Sequence, residues 1–182
     1  YFDDFCRKHN IEYYLMGGTA LGAVRHKGFI PWDDDFDVFM NKENYNKFRS
    51  IVKSRLDKKR YYFQEENSSE NPLPFCKLRM NNTALIEIDT QSRIMHQGIF
   101  LDIMPLCNAS DSLFFRYMQY FLSRMLIAKA LGEKGYVTGS LLKRVVIFLA
   151  KFIILSGLQS KLRSIIESSN PKETKMIGFF FG

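Results

Sequence analysis

One stretch, residues 17–40, constrains the fold of this chain more than any other. It reads GGTALGAVRHKGFIPWDDDFDVFM. Two glycines begin it, a basic run follows, and four aspartates near its end lead into an apolar segment. Flexible backbone, positive charge and clustered carboxylates at this spacing indicate a metal-assisted phosphate site.

The glycine pair lies between a predicted strand and a predicted helix. Residues 11–16 are rich in β-branched and aromatic side chains, which predicts a buried strand. Gly17 and Gly18 would end that strand, and Thr19 is predicted to be the N-cap of a short helix over residues 19–24. Because a strand, a glycine turn and a helix start aim backbone N–H groups at a phosphate, we expect these three residues to bind one.

Positive side chains that could assist phosphate binding occur in two places. Arg25 and Lys27 follow the predicted short helix, and Lys77 alternates with Arg79 along a later predicted strand. The sequence leaves two interpretations open for each of them: an electrostatic contact with substrate, or an ordinary surface charge.

The four aspartates of the motif are not equivalent. On a strand, Asp35 and Asp37 share one face about 7 Å apart at Cα, since alternate side chains point to opposite faces. Apolar residues alternate with them and are predicted to enter the core: Phe36, Val38 and Met40. Asp33 and Asp34 fit a solvated turn that precedes the strand.

Paired carboxylates on a strand favour a hard metal ion. Three carboxylates within about 4 Å would repel by roughly 4 kcal/mol per pair at an effective dielectric near 20, and a divalent cation removes that repulsion. Oxygen ligands suit Mg²⁺ or Mn²⁺. An EF-hand loop is excluded, because its required sixth-position Gly and twelfth-position Glu would fall on Val38 and Asn44.

The remaining patterns predict an α+β fold. The predicted elements are helices over residues 1–9 and 41–56, a strand over 61–64, a hairpin of 75–80 with 83–89, a strand over 98–104 stopped by Pro105, and helices over 113–131 and 141–158. Asp102 lies near the end of its strand, between Leu101 and Ile103, which would point the other way.

The apolar segment 141–158 has three interpretations. A buried core helix is favoured, a helix at a membrane interface is an alternative, and a membrane span is a third. The run is interrupted by Lys151 and is shorter than the roughly 20 apolar residues that a span requires.

Charge and cysteine usage narrow the classes of protein. Residues 1–110 carry 15 Lys and Arg against 15 Asp and Glu, whereas residues 111–182 carry 11 against 4, which suggests an anionic partner for the second part or solvated basic helix faces. The three cysteines and three histidines lack the spacing of a disulfide framework or a zinc site, so we expect core cysteines in the reducing cytoplasm. The missing initiator Met and the abrupt end predict a fragment of a longer polypeptide.

Three motifs resemble those of the LicD family, to which the fukutin-type transferases are similar. They are the block over residues 17–37, Phe75-Cys-Lys-Leu-Arg with Thr83, and Gly98-Ile-Phe-Leu-Asp-Ile-Met-Pro. The resemblance covers roughly residues 1–106, and it implies a mixed β-sheet of the polymerase-β-like nucleotidyltransferase type, flanked by helices. It also implies that Asp35, Asp37 and Asp102 are catalytic residues that hold the metal.

The resemblance implies a function as well. The family is known for transferring phosphocholine or a related phospho-alcohol from a CDP-linked donor to a cell-surface glycan such as lipopolysaccharide, teichoic acid or capsule. We therefore expect a catalytic core over residues 1–110, a truncated helical extension over 111–182, Mg²⁺ or Mn²⁺ as cofactor, a CDP-choline-type donor and a glycan or lipid-linked glycan acceptor. The expected location is the cytoplasm, with peripheral contact at the inner face of the cell membrane through residues 141–158 as an alternative.

Two other functions stay open. A nucleotidyltransferase acting on a small molecule or nucleic acid would use the same fold. A nucleic-acid substrate is disfavoured, because the basic second part lacks the interleaved aromatic and basic surface of a single-strand groove. A catalytically silent, membrane-associated scaffold is the other alternative.

Overall fold

The chain divides into two units in a computed structural model that describes residues 1–87, 91 and 93–181. The first unit comprises Tyr1–Glu65, Phe75–Ile86 and Met95–Pro105. The second contains the rest of the described chain. Strands in a sheet of six, together with flanking helices, confirm the predicted α+β class.

The first unit is built on a sheet with the strand order β1-β2-β5-β4-β3. Its elements are α1 (Phe2–Lys8), β1 (Tyr14–Leu15), α2 (Gly17–Arg25), β2 (Asp37–Asn41), α3 (Lys42–Arg55), β3 (Tyr61–Gln64), β4 (Cys76–Met80) and β5 (Phe100–Ala109) as far as Pro105. The antiparallel pairing of β4 with β5 places Lys77 opposite Asp102. This register brings a basic and an acidic side chain together on one face.

The core of the first unit follows the periodicity of the sequence. The Asn41 side chain accepts a hydrogen bond from the Asn44 N–H at 2.8 Å and so caps α3. The buried stripe of α3 is Tyr45, Phe48 and Val52. These side chains pack with residues of the sheet that include Val38, Met40, Leu101 and Ile103. Val38 and Met40 lie in the core as predicted, and Phe36 packs against it half-buried. Leu101 and Ile103, predicted to point away from Asp102, belong to the same core.

Two predictions for strands of the first unit are wrong. Only Tyr14 and Leu15 of the predicted strand 11–16 are paired, and both are exposed, because β1 is an edge strand with β2 as its neighbour. Residues 83–87 form no strand, so the predicted hairpin is absent from the described chain; residues 88 and 89 lie outside it. Instead, β4 pairs with β3 and β5.

The prediction that Pro105 ends its strand is also wrong. β5 continues to Ala109, and Cys107, Asn108 and Ala109 pair with β6 (Met176–Gly178) in the second unit. Pro105 is tolerated because it falls between the residues that pair with β4 and those that pair with β6, where its missing N–H breaks no ladder contact of either register.

The second unit is mainly helical. Its elements are α4 (Leu113–Lys134), α5 (Leu141–Ile153), α6 (Ser156–Ile166), a 3₁₀ turn (Glu167–Ser169), β6 and the end of β5. α4 and α5 approach closely at Gly132, where an added Cβ would lie 3.1 Å from the Ile147 carbonyl oxygen. Ala150, Ile154 and Ile166 are among the side chains of the core.

The predicted helix over residues 141–158 is two helices. α5 ends at Ile153, and the fully buried Ile154 and the extended Leu155 separate it from α6. The interpretation of α5 as a buried core helix is wrong, because Ala150 is its one buried residue. Among the described residues, no helix has the length and apolar character needed to cross a bilayer.

The prediction that the cysteines lie in the core is confirmed. Cys6, Cys76 and Cys107 are free thiols and all are buried. Burial raises the pKa of Cys6 to about 12, with the nearby Asp3 charge acting in the same direction, so this thiol stays protonated and unreactive at neutral pH.

Candidate active site

Asp37 is fixed at the beginning of β2 by two backbone hydrogen bonds. Its N–H donates to the Thr19 hydroxyl oxygen at 3.0 Å, and its carbonyl accepts from the Met16 N–H at 3.1 Å. Thr19 lies on α2, so these bonds join the glycine end of the motif to its acidic end. The Asp37 carboxylate is thereby held at a defined place next to the start of α2.

The surroundings of the Asp37 side chain disfavour its ionised form. Its Oδ1 atom is buried and has no hydrogen-bond partner within the described chain. Burial, together with the negative charges of Asp102 and Asp35, raises the pKa of Asp37 to about 6, against the opposing effect of the Lys77 ammonium. A carboxylate in this state gains free energy from any cation that reaches it.

Asp102 and Lys77 form a buried ion pair on neighbouring strands. Lys77 Nζ lies 2.7 Å from Asp102 Oδ1 and 2.9 Å from Oδ2. The ammonium also lies 3.7 Å from the centroid of the Phe100 ring. On the other side, the Asp102 N–H donates to the Phe36 carbonyl at 2.9 Å, which ties β5 to the acidic run. The structure therefore brings Asp102 next to Asp37, as the resemblance to the LicD family implied.

Asp35 precedes β2, although the sequence predicted it to be part of the strand. Burial raises the pKa of Asp35, and the negative charges of Asp33 and Asp34 raise it further. Asp33 also hydrogen-bonds with Asp35, and its Oδ2 lies only 2.0 Å from where a Cβ on Gly18 would be. A larger side chain at Gly18 would therefore displace the Asp33 carboxylate.

The start of α2 differs from the prediction for Thr19. The helix begins at Gly17, Met16 is its N-cap, and no side chain caps it. Gly17 has a φ of +49°, a conformation that favours glycine. The predicted capping role of Thr19 is wrong, because its hydroxyl is turned to the Asp37 backbone instead. A phosphate-binding role for Gly17, Gly18 and Thr19 stays a prediction.

A mainly apolar cavity of about 360 Å³ lies beside the start of α2. Gly18, Thr19, Lys27 and Asp33 are among its lining residues, so Lys27 is close to the acidic run. Arg25 is exposed, and its guanidinium contacts the neighbouring His26 ring at 3.3 Å. Of the two cations that follow α2, Lys27 is therefore the better placed to meet a ligand in this cavity.

Sequence reasoning did not identify the importance of Asp33 or the structural role of Arg79. Asp33 was predicted to be a solvated turn residue, but it contacts Gly18 and Asp35. Arg79 is buried, and its guanidinium donates to the Gln64 side chain and the Gly98 carbonyl. The glycine at position 18 was a possible signal for the importance of Asp33. The alternation of Arg79 with Lys77 gave no signal for the structural role of Arg79.

The carboxylates as placed do not form a ready-made metal cage. Within the residues that the structure describes, no group of three or more His, Cys, Asp or Glu side chains has the arrangement to hold a metal ion. Lys77 supplies the positive charge at Asp102 instead. Metal binding therefore stays a prediction, supported by the strained Asp37 carboxylate.

A family comparison agrees with this geometry. The model described as "LicD/FKTN/FKRP, nucleotidyltransferase domain" matches residues 10–117, which is more than half of the chain. The chain belongs to this family. The match covers α2, β2, β4 and β5, the elements that carry the candidate site.

Three curated relatives match shorter segments. A lipopolysaccharide cholinephosphotransferase LicD of Haemophilus influenzae is 56% identical over 51 residues, which is 28% of this chain and 19% of that protein. Uncharacterised proteins of Rickettsia typhi and Rickettsia prowazekii are 49% and 54% identical over 45 residues, 25% of this chain and 15% and 17% of theirs. The matches span less than a fifth of the length of each relative.

Proposed function

We propose that this protein is a metal-dependent phosphotransferase that moves phosphocholine, or a related phospho-alcohol, from a CDP-linked donor to a hydroxyl of a cell-surface glycan. The observation that carries the proposal is the half-buried Asp37 carboxylate, with its unpartnered Oδ1 and raised pKa, beside Asp35 and Asp102. Family membership and the similarity to a lipopolysaccharide cholinephosphotransferase favour this chemistry over others on the same fold.

Asp35 and Asp37 fit a divalent cation better than any other ligand. They offer hard oxygen donors, burial raises the pKa of both, and one Asp37 oxygen lacks a partner. A bound Mg²⁺ or Mn²⁺ would supply positive charge to the donor diphosphate and to the CMP that leaves. Asp102 would join this site if its pair with Lys77 rearranged.

The donor phosphates would meet the start of α2. The backbone N–H groups of Gly17, Gly18 and Thr19 lie in its first turn, where the positive end of the helix dipole favours an anion. Lys27, at the neighbouring cavity, would add positive charge, with Arg25 as a further contributor. These residues would orient the diphosphate against the carboxylates and stabilise the charge that develops on transfer.

Asp102 is the candidate general base for the acceptor. A carboxylate next to the reacting phosphorus could accept the proton of the attacking sugar hydroxyl. Lys77 lies against both carboxylate oxygens of Asp102, so their ion pair would have to open for Asp102 to accept that proton. The acceptor is proposed to be a glycan or lipid-linked glycan, and lipopolysaccharide is the first candidate.

The proposal is tested by following both products of the reaction. Purified protein is incubated with CDP-choline labelled in the choline, lipopolysaccharide as acceptor, and Mg²⁺ or Mn²⁺. We expect metal-dependent release of CMP and transfer of label to the glycan, and Asp37→Asn should reduce both rates by at least a thousandfold. Asp34→Asn is the matched control, because Asp34 is an exposed neighbour in the same acidic run.

Each alternative function predicts a different outcome. A nucleotidyltransferase would release pyrophosphate from a nucleoside triphosphate and leave a nucleotide on its acceptor. A silent scaffold would turn over neither CDP-alcohols nor triphosphates with any metal. An Asp37→Asn protein that folds normally and retains wild-type CMP release would overturn the assignment of the site.

A further inference from the structure

The outer face of α5 is apolar and exposed. At 100° per residue, seven large apolar side chains fall within an arc of about 140°. We name these residues the α5 face: Leu141, Leu142, Val145, Phe148, Leu149, Phe152 and Ile153, each 47–74% exposed. A continuous exposed apolar face of this kind marks an interaction site, because its hydration is unfavourable.

The opposite side of α5 is already used for packing inside its own unit. Ile147 and Ala150 belong to the core that α5 shares with α4, and Gly132 allows the close approach of the two helices. α5 is therefore anchored with one side inward. Its outward direction is fixed by this packing and not by the ligand that the α5 face would meet.

Basic residues border the α5 face. On the helix, Arg144 and Lys151 fall about 40° and 60° beyond one edge of the arc, whereas Lys143 falls about 80° beyond the other edge, on the side of Ala150. All three are exposed, and α5 contains no acidic residue. Long basic side chains at the margins of an apolar face can extend to lipid phosphates while their alkyl chains stay in the apolar layer.

We propose that the α5 face docks on an anionic lipid surface, with the helix lying parallel to the membrane. The absence of polar groups within the arc favours lipid over a protein partner, since protein interfaces carry about one hydrogen bond per 100–200 Å². The three cations match the negative charge of phospholipid headgroups. A helix of 13 residues is also suited to lie in the interface and not to cross it.

Vesicle flotation tests the binding. Vesicles of equal parts phosphatidylcholine and phosphatidylglycerol should bind the wild-type protein, and phosphatidylcholine vesicles should bind it far more weakly. Replacing Lys143, Arg144 and Lys151 by Gln should weaken binding to the anionic vesicles about fivefold per residue. The triple variant Leu142→Ser/Phe148→Ser/Phe152→Ser should weaken it by roughly a hundredfold or more.

A matched control separates the α5 face from exposed apolar residues in general. Ile86 and Ile94 are 61% and 101% exposed, and neither lies on α5. The variant Ile86→Ser/Ile94→Ser should bind vesicles like the wild type. All these replacements are at exposed positions, so circular dichroism should show unchanged folding.

Insertion is tested with brominated lipids, which quench nearby tryptophan. The chain has one native tryptophan, Trp32, which gives the background signal. Phe148→Trp should add fluorescence that brominated anionic vesicles quench, whereas Ile94→Trp should add fluorescence that they do not quench. Equal quenching in both variants would overturn the proposed orientation.

Two further results would overturn the proposal. One is concentration-dependent dimerisation that the triple Ser variant abolishes, without vesicle binding by the wild type, since the occupant would then be a second copy. The other is failure to bind anionic vesicles combined with protection of the α5 face in hydrogen exchange, since protein would then cover it. Neither result depends on CMP release, so the outcome is independent of the proposed catalytic function.

Discussion

The two units differ in the kind of energetically costly group that distinguishes each of them. The first unit buries charge: Lys77, Arg79 and Asp102 are all less than a tenth exposed. The second unit also buries the charged side chains of Glu66 and Lys129, but it differs in exposing a continuous apolar face on α5. Buried charge is costly unless it is paired, and exposed apolar surface is costly unless something covers it. The first pattern is typical of a chemical site and the second of a docking surface.

The largest effect is expected from separating the buried ion pair of the first unit. Lys77→Met leaves the Asp102 carboxylate without its counter-charge, which should lower the free energy of unfolding by about 3–5 kcal/mol. The measurement is urea denaturation followed by circular dichroism. Lys77→Met/Asp102→Leu should regain most of the loss, since it removes both charges. If the double variant were as unstable as the single one, packing and not charge would explain the effect.

A smaller effect is expected from crowding the α4–α5 contact of the second unit. Gly132→Val inserts carbon atoms where the Ile147 carbonyl is 3.1 Å from an added Cβ, and should cost about 1–3 kcal/mol in the same assay. Gly157→Val is the control, because nothing lies within 4 Å of a Cβ at that helical position. Equal destabilisation by both variants would show that helix propensity dominates.

The next effect depends on pH and concerns Asp37. The pKa of Asp37 is about 6 in the folded protein, against an ordinary value of 3.8. The contribution of Asp37 to the free energy of unfolding is therefore complete below about pH 4 and is lost as the pH rises through 6. In metal-free buffer, the free energy of unfolding of Asp37→Asn relative to that of the wild type should therefore rise by about 1–2 kcal/mol between pH 4 and pH 7, after allowance for solvent screening. Added Mg²⁺ should reduce this gain by stabilising the wild type. A pH-independent difference between the two proteins would contradict the raised pKa.

The smallest effects compare one ion pair from each unit. Asp3 and Arg7 are solvent-exposed in α1, so Asp3→Asn should leave the melting temperature unchanged within error. Lys129 and Glu133 have the same i,i+4 spacing in α4, but Lys129 is buried. Glu133→Gln should therefore cost about 1 kcal/mol, measured by the same thermal scan. If Asp3→Asn and Glu133→Gln changed the melting temperature equally, burial would not explain a difference between the two ion pairs.

Local periodicity was sufficient to predict the parts of the fold that depend on it. The helix predicted over residues 41–56 and the inward direction of Val38 and Met40 follow from one element each, and both are confirmed. Alternation also selected Asp37, whereas Asp102 was selected by the family resemblance, and the structure places the two near each other. These predictions succeeded because a repeat of 3.6 or 2 residues fixes the direction of a side chain before any tertiary contact forms.

The wrong predictions depend on partners that are distant in the sequence. Pro105 was expected to end β5, but the availability of β6 about 70 residues later decides where that strand ends. The apolar run of α5 was expected to be buried, yet periodicity does not reveal which apolar faces find a partner. The proximity of Asp33 to Gly18 has the same origin, since it joins the acidic run to α2.

The hydrogen bond from the Asp37 N–H to the Thr19 hydroxyl has a consequence for the order of folding. It closes a loop of 18 residues, whereas Asp102 lies 65 positions beyond Asp37. On loop-closure entropy alone, the longer closure costs about 1 kcal/mol more than the shorter one. The glycine and aspartate ends of the motif can thus meet early, as a local event, and the arrival of β5 with Asp102 completes the carboxylate group later.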